Sequence, residues 1–172
     1  MANKAVVCIA NTLNQAETIV YDLEAAGFHD SDISVLLPDK NVTRDLGHER
    51  HSKAPEGAVA GAGTGGLIGG AIGLLAGIGS LAIPGLGPFI AAGPILAALG
   101  GVGAGAALGG LTGALVGAGI PEYEAKLYEG KLRSGNVLIA VHTEDSAQQM
   151  KAKSIFDRAH ASDVTTTSEA SV

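Results

Sequence analysis

The only phosphate-type motif in the chain is Gly61-Ala62-Gly63-Thr64-Gly65-Gly66, which has the G-x-G-x-x-G spacing of dinucleotide-binding turns. That chemistry needs the glycines between a strand and a helix N-terminus, where backbone N–H groups can face a pyrophosphate. Here Ala58-Val59-Ala60 and a polar stretch precede them, and they belong to a longer periodic series, so no cofactor is expected. No G-x-x-x-x-G-K-[ST] occurs. His48-Glu49-Arg50-His51, with Asp45 nearby, is the one metal-like group. Two histidines three apart lack further ligands, and Arg50 would repel a cation, so a solvated loop and no metal are expected. His29, His142 and His160 stand singly, each near the end of an element. Cys8 sits within an apolar run and is expected to be a small buried hydrophobe. Nucleophilic catalysis needs a base and an orienting group beside the nucleophile. No such constellation can be assembled, so no catalytic residue is assigned and no enzymatic activity is expected.

Composition separates two unlike objects. Of the 172 residues, 26 are Gly, and 22 of these lie between Gly57 and Ile120, a 64-residue stretch without Asp, Glu, Lys, Arg or His. The flanks are ordinary charged sequence. A net charge of −6 with scattered Lys and Arg lacks the basic face that nucleic acid requires. A single cysteine allows no internal disulfide. Ala5 to Ala10 is shorter than the about 7–15 apolar residues of a signal-peptide core, so the flanks are expected in the cytoplasm.

Residues 1–38 read as a β-α-β unit. Ala5 to Ala10 and Ile33 to Leu37 are the strands, the second stopped by Pro38. Between them, Thr12 with Gln15 and Asn14 with Glu17 have capping-box spacing. Ala16, Ile19, Val20, Leu23 and Ala26 follow at helical spacing, and Gly27 suits the left-handed C′ position. Residues 136–172 repeat the scheme. Val137 to Val141 is a strand, Asp145 and Gln148 a cap pair, and Ala147, Met150, Ile155 and Ala159 an apolar stripe. Asp163 to Thr167 is an edge strand. Two such units predict an α+β fold, a four-stranded antiparallel sheet with both helices on one face in the ferredoxin-like arrangement. Residues 39–56, with Lys40, Arg44, Arg50 and Lys53, read as a linker. Residues 121–135 read as a charged helix with Pro121 at N1 and Gly135 past its end, packing through Tyr123, Leu127, Tyr128 and Leu132.

The insert, residues 57–120, carries the strongest pattern. Gly57, Gly61, Gly65, Gly69, Gly73 and Gly77 recur every fourth residue, as do Gly101, Gly105, Gly109, Gly113 and Gly117. On a helix each series cuts a groove without side chains, where a partner backbone can approach closely. Gly63, Gly66, Gly70, Gly103 and Gly110 open second grooves. With Pro84, Gly85, Gly87 and Pro88 as the turn, a helical hairpin is predicted with arms Gly57–Ile83 and Phe89–Gly119. Eleven ladder glycines carry on the order of 10 kcal/mol of helix-propensity penalty. A bilayer makes helix nearly obligatory for a spanning segment, and each arm exceeds the about 20 residues needed. The hairpin is therefore expected in the cytoplasmic membrane with both termini inside. The alternative is a water-soluble homo-oligomer whose Gly-rich hairpins bury one another, since Leu, Ile and Phe to face lipid are few.

The sequence between these landmarks resembles the bacterial general stress protein (YflT-like, heat-induced) family. The residues concerned are Ile83-Pro84-Gly85-Leu86-Gly87-Pro88, Ala92-Gly93-Pro94, and above all Gly119-Ile120-Pro121-Glu122-Tyr123-Glu124-Ala125 leading into Gly135-Asn136-Val137-Leu138-Ile139. The resemblance runs from about Lys4 to Ala161. It implies a stress-associated, non-enzymatic bacterial protein and supplies no catalytic residues. The expected partners are further copies of the chain and a lipid bilayer, with no nucleic acid and no small-molecule substrate. A small-ligand sensor using the sheet is a further alternative.

Overall fold

The computed structural model describes residues 4–38, 79–83, 87–94 and 103–168. Among these residues six strands form one antiparallel sheet: β1 (Lys4–Ala10), β2 (Ile33–Pro38), β3 (Gly79–Ile83), β4 (Gly87–Ala92), β5 (Val137–Thr143) and β6 (Ser162–Ser168), in the order β3-β4-β2-β5-β1-β6. The helices are α1 (Leu13–Ala25), α2 (Gly103–Gly117), α3 (Glu122–Arg133) and α4 (Ser146–Arg158). The fold is α+β.

Local signals set the ends of the elements. The Thr12 hydroxyl accepts from the Gln15 N–H at 3.1 Å, and Gln15 Oε1 accepts from the Asn11 N–H at 2.7 Å. Asp145 and Gln148 do the same for α4, at 2.7 and 2.8 Å. Each arrangement satisfies one amide donor that a helix start leaves open, at N3, and ties down the amide just before the cap residue. Gly27 (φ 92°) and Gly135 (φ 96°) follow α1 and α3 in the left-handed region. Pro121 differs slightly from expectation: its ψ of 143° makes it the cap of α3 and not the first helical residue.

The strands have two apolar faces. Val6, Cys8, Ala10, Ile33, Val35, Leu37, Val137, Ile139 and Val141 pack with Ile19, Val20 and Leu23 of α1 and Ala152, Ile155 and Phe156 of α4. Alternate residues Ala5, Val7, Ile9, Leu36 and Leu138 point the other way, onto Leu111, Ala114 and Leu115 of α2 and Ala125, Tyr128 and Leu132 of α3. This follows from the period of two along a strand. Helices cover both faces, making three layers.

The helical hairpin predicted over 57–120 is corrected at its centre, at residues 79–83 and 87–92. Gly79–Ile83 and Gly87–Ala92 are strands, not parts of two long helical arms, although the chain does reverse at the expected place: Ile83 pairs with Gly87 across the Pro84–Gly85 region. The sheet accordingly has six strands where four were predicted. β4 pairs with β2, from Val35↔Ala92 to Pro38↔Phe89. Without β4, the outer edge of β2 would leave a row of N–H and C=O groups unpaired. A segment opened by the poor helix formers Gly87 and Pro88 gains those bonds as a strand. In the second arm α2 is helical, and Gly110 (φ 60°, ψ −150°) breaks it. Among the described residues no helix is long and apolar enough to cross a membrane. The six glycines of the first ladder, Gly57 to Gly77, lie outside the described residues, as do Gly101, Pro84, Gly85 and the linker.

Two side-chain assignments also change. Ala147 and Met150 are exposed, Met150 by 67%, and Ala152 and Phe156 take their place in the core. Five residues along a helix rotate the side chain by about 140°, so Met150 cannot share a face with Ile155. Tyr123 is 81% exposed and Leu127 half-exposed, whereas Tyr128 and Leu132 are buried.

Gly93, at the end of β4, has φ 77°, and a Cβ there would collide with the carbonyl of Ile33. Gly93→Ala is expected to cost roughly 2–4 kcal/mol, combining a strained backbone with a backbone clash. Urea unfolding measures it, and a loss below half a kcal/mol would show that β4 does not dock on β2 this closely.

Candidate functional site

Gly105, Gly109, Gly113 and Gly117, expected from sequence to be helix-packing residues, fall in α2. Leu111, Ala114 and Leu115 are its sheet-facing residues, all buried. At about 100° per residue, Gly113 and Gly117 fall on the opposite side. Gly113 is accordingly half-buried, Gly117 exposed and the intervening Val116 exposed by 42%. The small-residue face of this half of α2 is thus its outward face. Gly105 and Gly109 lie in α2 ahead of the break at Gly110.

α3 holds α2 in this orientation. Glu129 Oε2 accepts the Thr112 backbone N–H at 2.9 Å and also the Thr112 hydroxyl. Its other oxygen accepts from Arg133 Nε and Nη2 at 3.1 and 2.6 Å. The break at Gly110 leaves Thr112 at the start of a new helical turn, where amides lack intrahelical acceptors, and a carboxylate is a strong substitute. Burial raises the Glu129 pKa, but the bonds from Thr112 and the charge of Arg133 outweigh it and hold the carboxyl below its ordinary value.

On its other side α3 is tied to β6. The Tyr128 hydroxyl donates to the Asp163 carbonyl at 3.1 Å, Thr165 donates to Glu124 Oε1 at 2.9 Å, and Lys131 lies 3.4 Å from the Asp163 carboxylate. The Thr167 hydroxyl donates to the Gly119 carbonyl at 2.5 Å, fixing the turn between α2 and α3. Burial first, then Glu124 and Asp163, push the Tyr128 phenol up, which keeps it a neutral donor.

Among the described residues the remaining sequence candidates do not converge. Cys8 is buried, and burial pushes its thiol up, away from a reactive thiolate. His29 and His160 are exposed and His142 is half-buried in β5. Among the described residues no three metal-ligating side chains come together. Asp45, His48, His51 and the G-x-G-x-x-G segment lie outside the described residues. Pro88 and Gly87 are in β4. Sequence reasoning missed the Thr112–Glu129–Arg133 group, although two signals were present. Glu129 and Arg133 have the i,i+4 spacing of a helical ion pair. Thr112 is the only hydroxyl residue between Phe89 and Ile120.

Comparison with family models, curated proteins and solved structures finds no match to the chain.

A group whose folded pKa is depressed adds stability above its unfolded pKa and loses it as pH falls through the folded value. Glu129 is such a group, so its contribution is complete at neutral pH and fades below the ordinary glutamate range near 4.5. Glu129→Gln is expected to lower stability at pH 7 by about 1–3 kcal/mol and to flatten part of the acid-side decline. Unfolding followed between pH 3 and 7 checks both, and a variant with wild-type stability and slope would contradict the bonding described.

Proposed function

We propose that this chain is a non-enzymatic, self-assembling protein: a sheet domain of ferredoxin-like arrangement whose Gly-rich insert packs against the inserts of other copies. Within the sheet, β1, β2, β5 and β6 with α1 and α4 form two β-α-β units with their helices on one face, which supports the ferredoxin-like reading. β3, β4, α2 and α3 are the additions. The observation that carries the assembly reading is the direction of the ladder. Gly113 and Gly117 lie on the side of α2 away from the sheet, while larger residues do the packing inside the domain. A small-residue face turned outward suits close approach by another helix. The resemblance to the heat-induced stress proteins supports a role in stress.

For the surroundings of this assembly we favour water. β3 and β4 belong to the same sheet as β2, so any membrane excursion between Pro38 and Gly79 must return to the side it left. The uncharged stretch before β3 runs from 57 to 78, 22 residues, enough for about one crossing and not two. The expected partner is therefore a second copy in the cytoplasm, and a bilayer is the second reading, favoured by the absence of charge over 57–120.

Native mass measurement of the wild type should give a particle of several chains, and Gly69→Leu or Gly109→Leu should each dissociate it. Wild-type mass in both variants would remove the ladders as the assembly surface. Alkaline extraction separates the surroundings: recovery as a large particle in the supernatant is expected, and retention in the membrane pellet would favour the bilayer.

A further inference from the structure

The break in α2 falls where it divides the ladder. Gly110 occupies φ 60°, ψ −150°, a conformation essentially closed to residues with a side chain. The bend separates Gly105 and Gly109 from Gly113 and Gly117, which share one face only when the helix is continuous. The Thr112 N–H has two possible acceptors. In a continuous helix it bonds the Leu108 carbonyl, four residues back. In the bent helix it bonds Glu129 Oε2 at 2.9 Å, with the Thr112 hydroxyl on the same oxygen and Arg133 holding the carboxylate from its other side. The two arrangements exclude one another, because one amide proton cannot make both bonds at full strength.

We propose that α2 is a two-position element in which Glu129 latches the bent, ladder-broken form and release of Thr112 from Glu129 straightens the helix into a continuous ladder competent to assemble. The inference rests on the assembly reading above and adds its control. The described sheet-facing side chains of α2 are compatible with the change. Leu111, Ala114 and Leu115 all lie after the break, so that half can stay seated while the preceding half swings into line. Glycine at 110 is required in the bent form and unfavourable in the straight one. The bend therefore costs little, and a methyl group there would tip the balance.

The test uses the full chain with Gly110→Ala, Glu129→Ala and Gly109→Leu, read by backbone NMR in dilute samples and by native mass. In the wild type, residue 110 should show non-helical carbon shifts, and the Thr112 amide should move when Glu129 is replaced by Gln. Gly110→Ala should give helical shifts at 110 and a Thr112 amide indifferent to Glu129→Gln. It should assemble at roughly tenfold lower concentration than the wild type, the scale of the backbone preference. Glu129→Ala, which leaves the backbone at 110 unaltered, should move both readouts the same way and stands in if Gly110→Ala fails to fold. Non-helical shifts at residue 110 in both variants would overturn the switch. Straightening without a gain in assembly, while Gly109→Leu still dissociates the particle, would overturn the control and leave the assembly reading standing. A particle indifferent to Gly109→Leu would end the assembly reading itself.

Discussion

Everything in this molecule depends on a sheet whose central strands are apolar on both sides. Along β1 every residue from Ala5 to Ala10 is buried, with alternate side chains committed to opposite faces. Two β-α-β units provide helices for one face only. The second face, left bare, would expose Val7, Ile9, Leu36 and Leu138 to water, at about 25 cal/mol for each Å² of apolar surface. The chain meets this requirement with the last part of its Gly-rich insert and with α3. That is why a segment of such low helix propensity is helical where it is: Leu111, Ala114 and Leu115 have a surface to bury against, and tertiary packing supplies what propensity does not.

The same requirement determines which way the glycines point. A helix with Leu111, Ala114 and Leu115 turned to the sheet turns Gly113 and Gly117 outward, so these two glycines are displayed as a consequence of core packing. The polar bonds around it reinforce this orientation. Glu129 grips the first turn after the break, and Thr167 holds the turn that follows α2. Tyr128 and Lys131 anchor α3 to the Asp163 region of β6. An outward face of small residues and a lid for the sheet are thereby two sides of one short helix.

Signals confined to a few residues were legible from sequence. The cap pairs Thr12/Gln15 and Asp145/Gln148 form as their spacing requires, and Gly27 and Gly135 stop their helices in the left-handed region. The apolar runs of β1, β2 and β5 were equally plain. Residues 79–92 were not, because Gly, Ala and Leu in mixture have no decisive period, and what makes Gly87–Ala92 a strand is the free edge of β2, a partner far away in sequence. The division of α2 was hidden for a related reason. A ladder that continues unbroken through Gly109 and Gly113 gives no hint that Gly110 leaves the helix, and the group that accepts the freed Thr112 amide is Glu129, on the next element. Met150 was misassigned by spacing alone: it stands five residues from Ile155, across the helix from the core.

The central claim is that the end of the Gly-rich insert belongs to the folding unit of the sheet. Native-state hydrogen exchange tests it most directly, because amides that open only with global unfolding share one free energy. The prediction is that amides in the 111–117 half of α2 exchange with the same opening free energy as those of β1, β5 and α3. Exchange of that half at much lower free energy, with the sheet still protected, would show that the second face does not depend on α2 and would contradict the account.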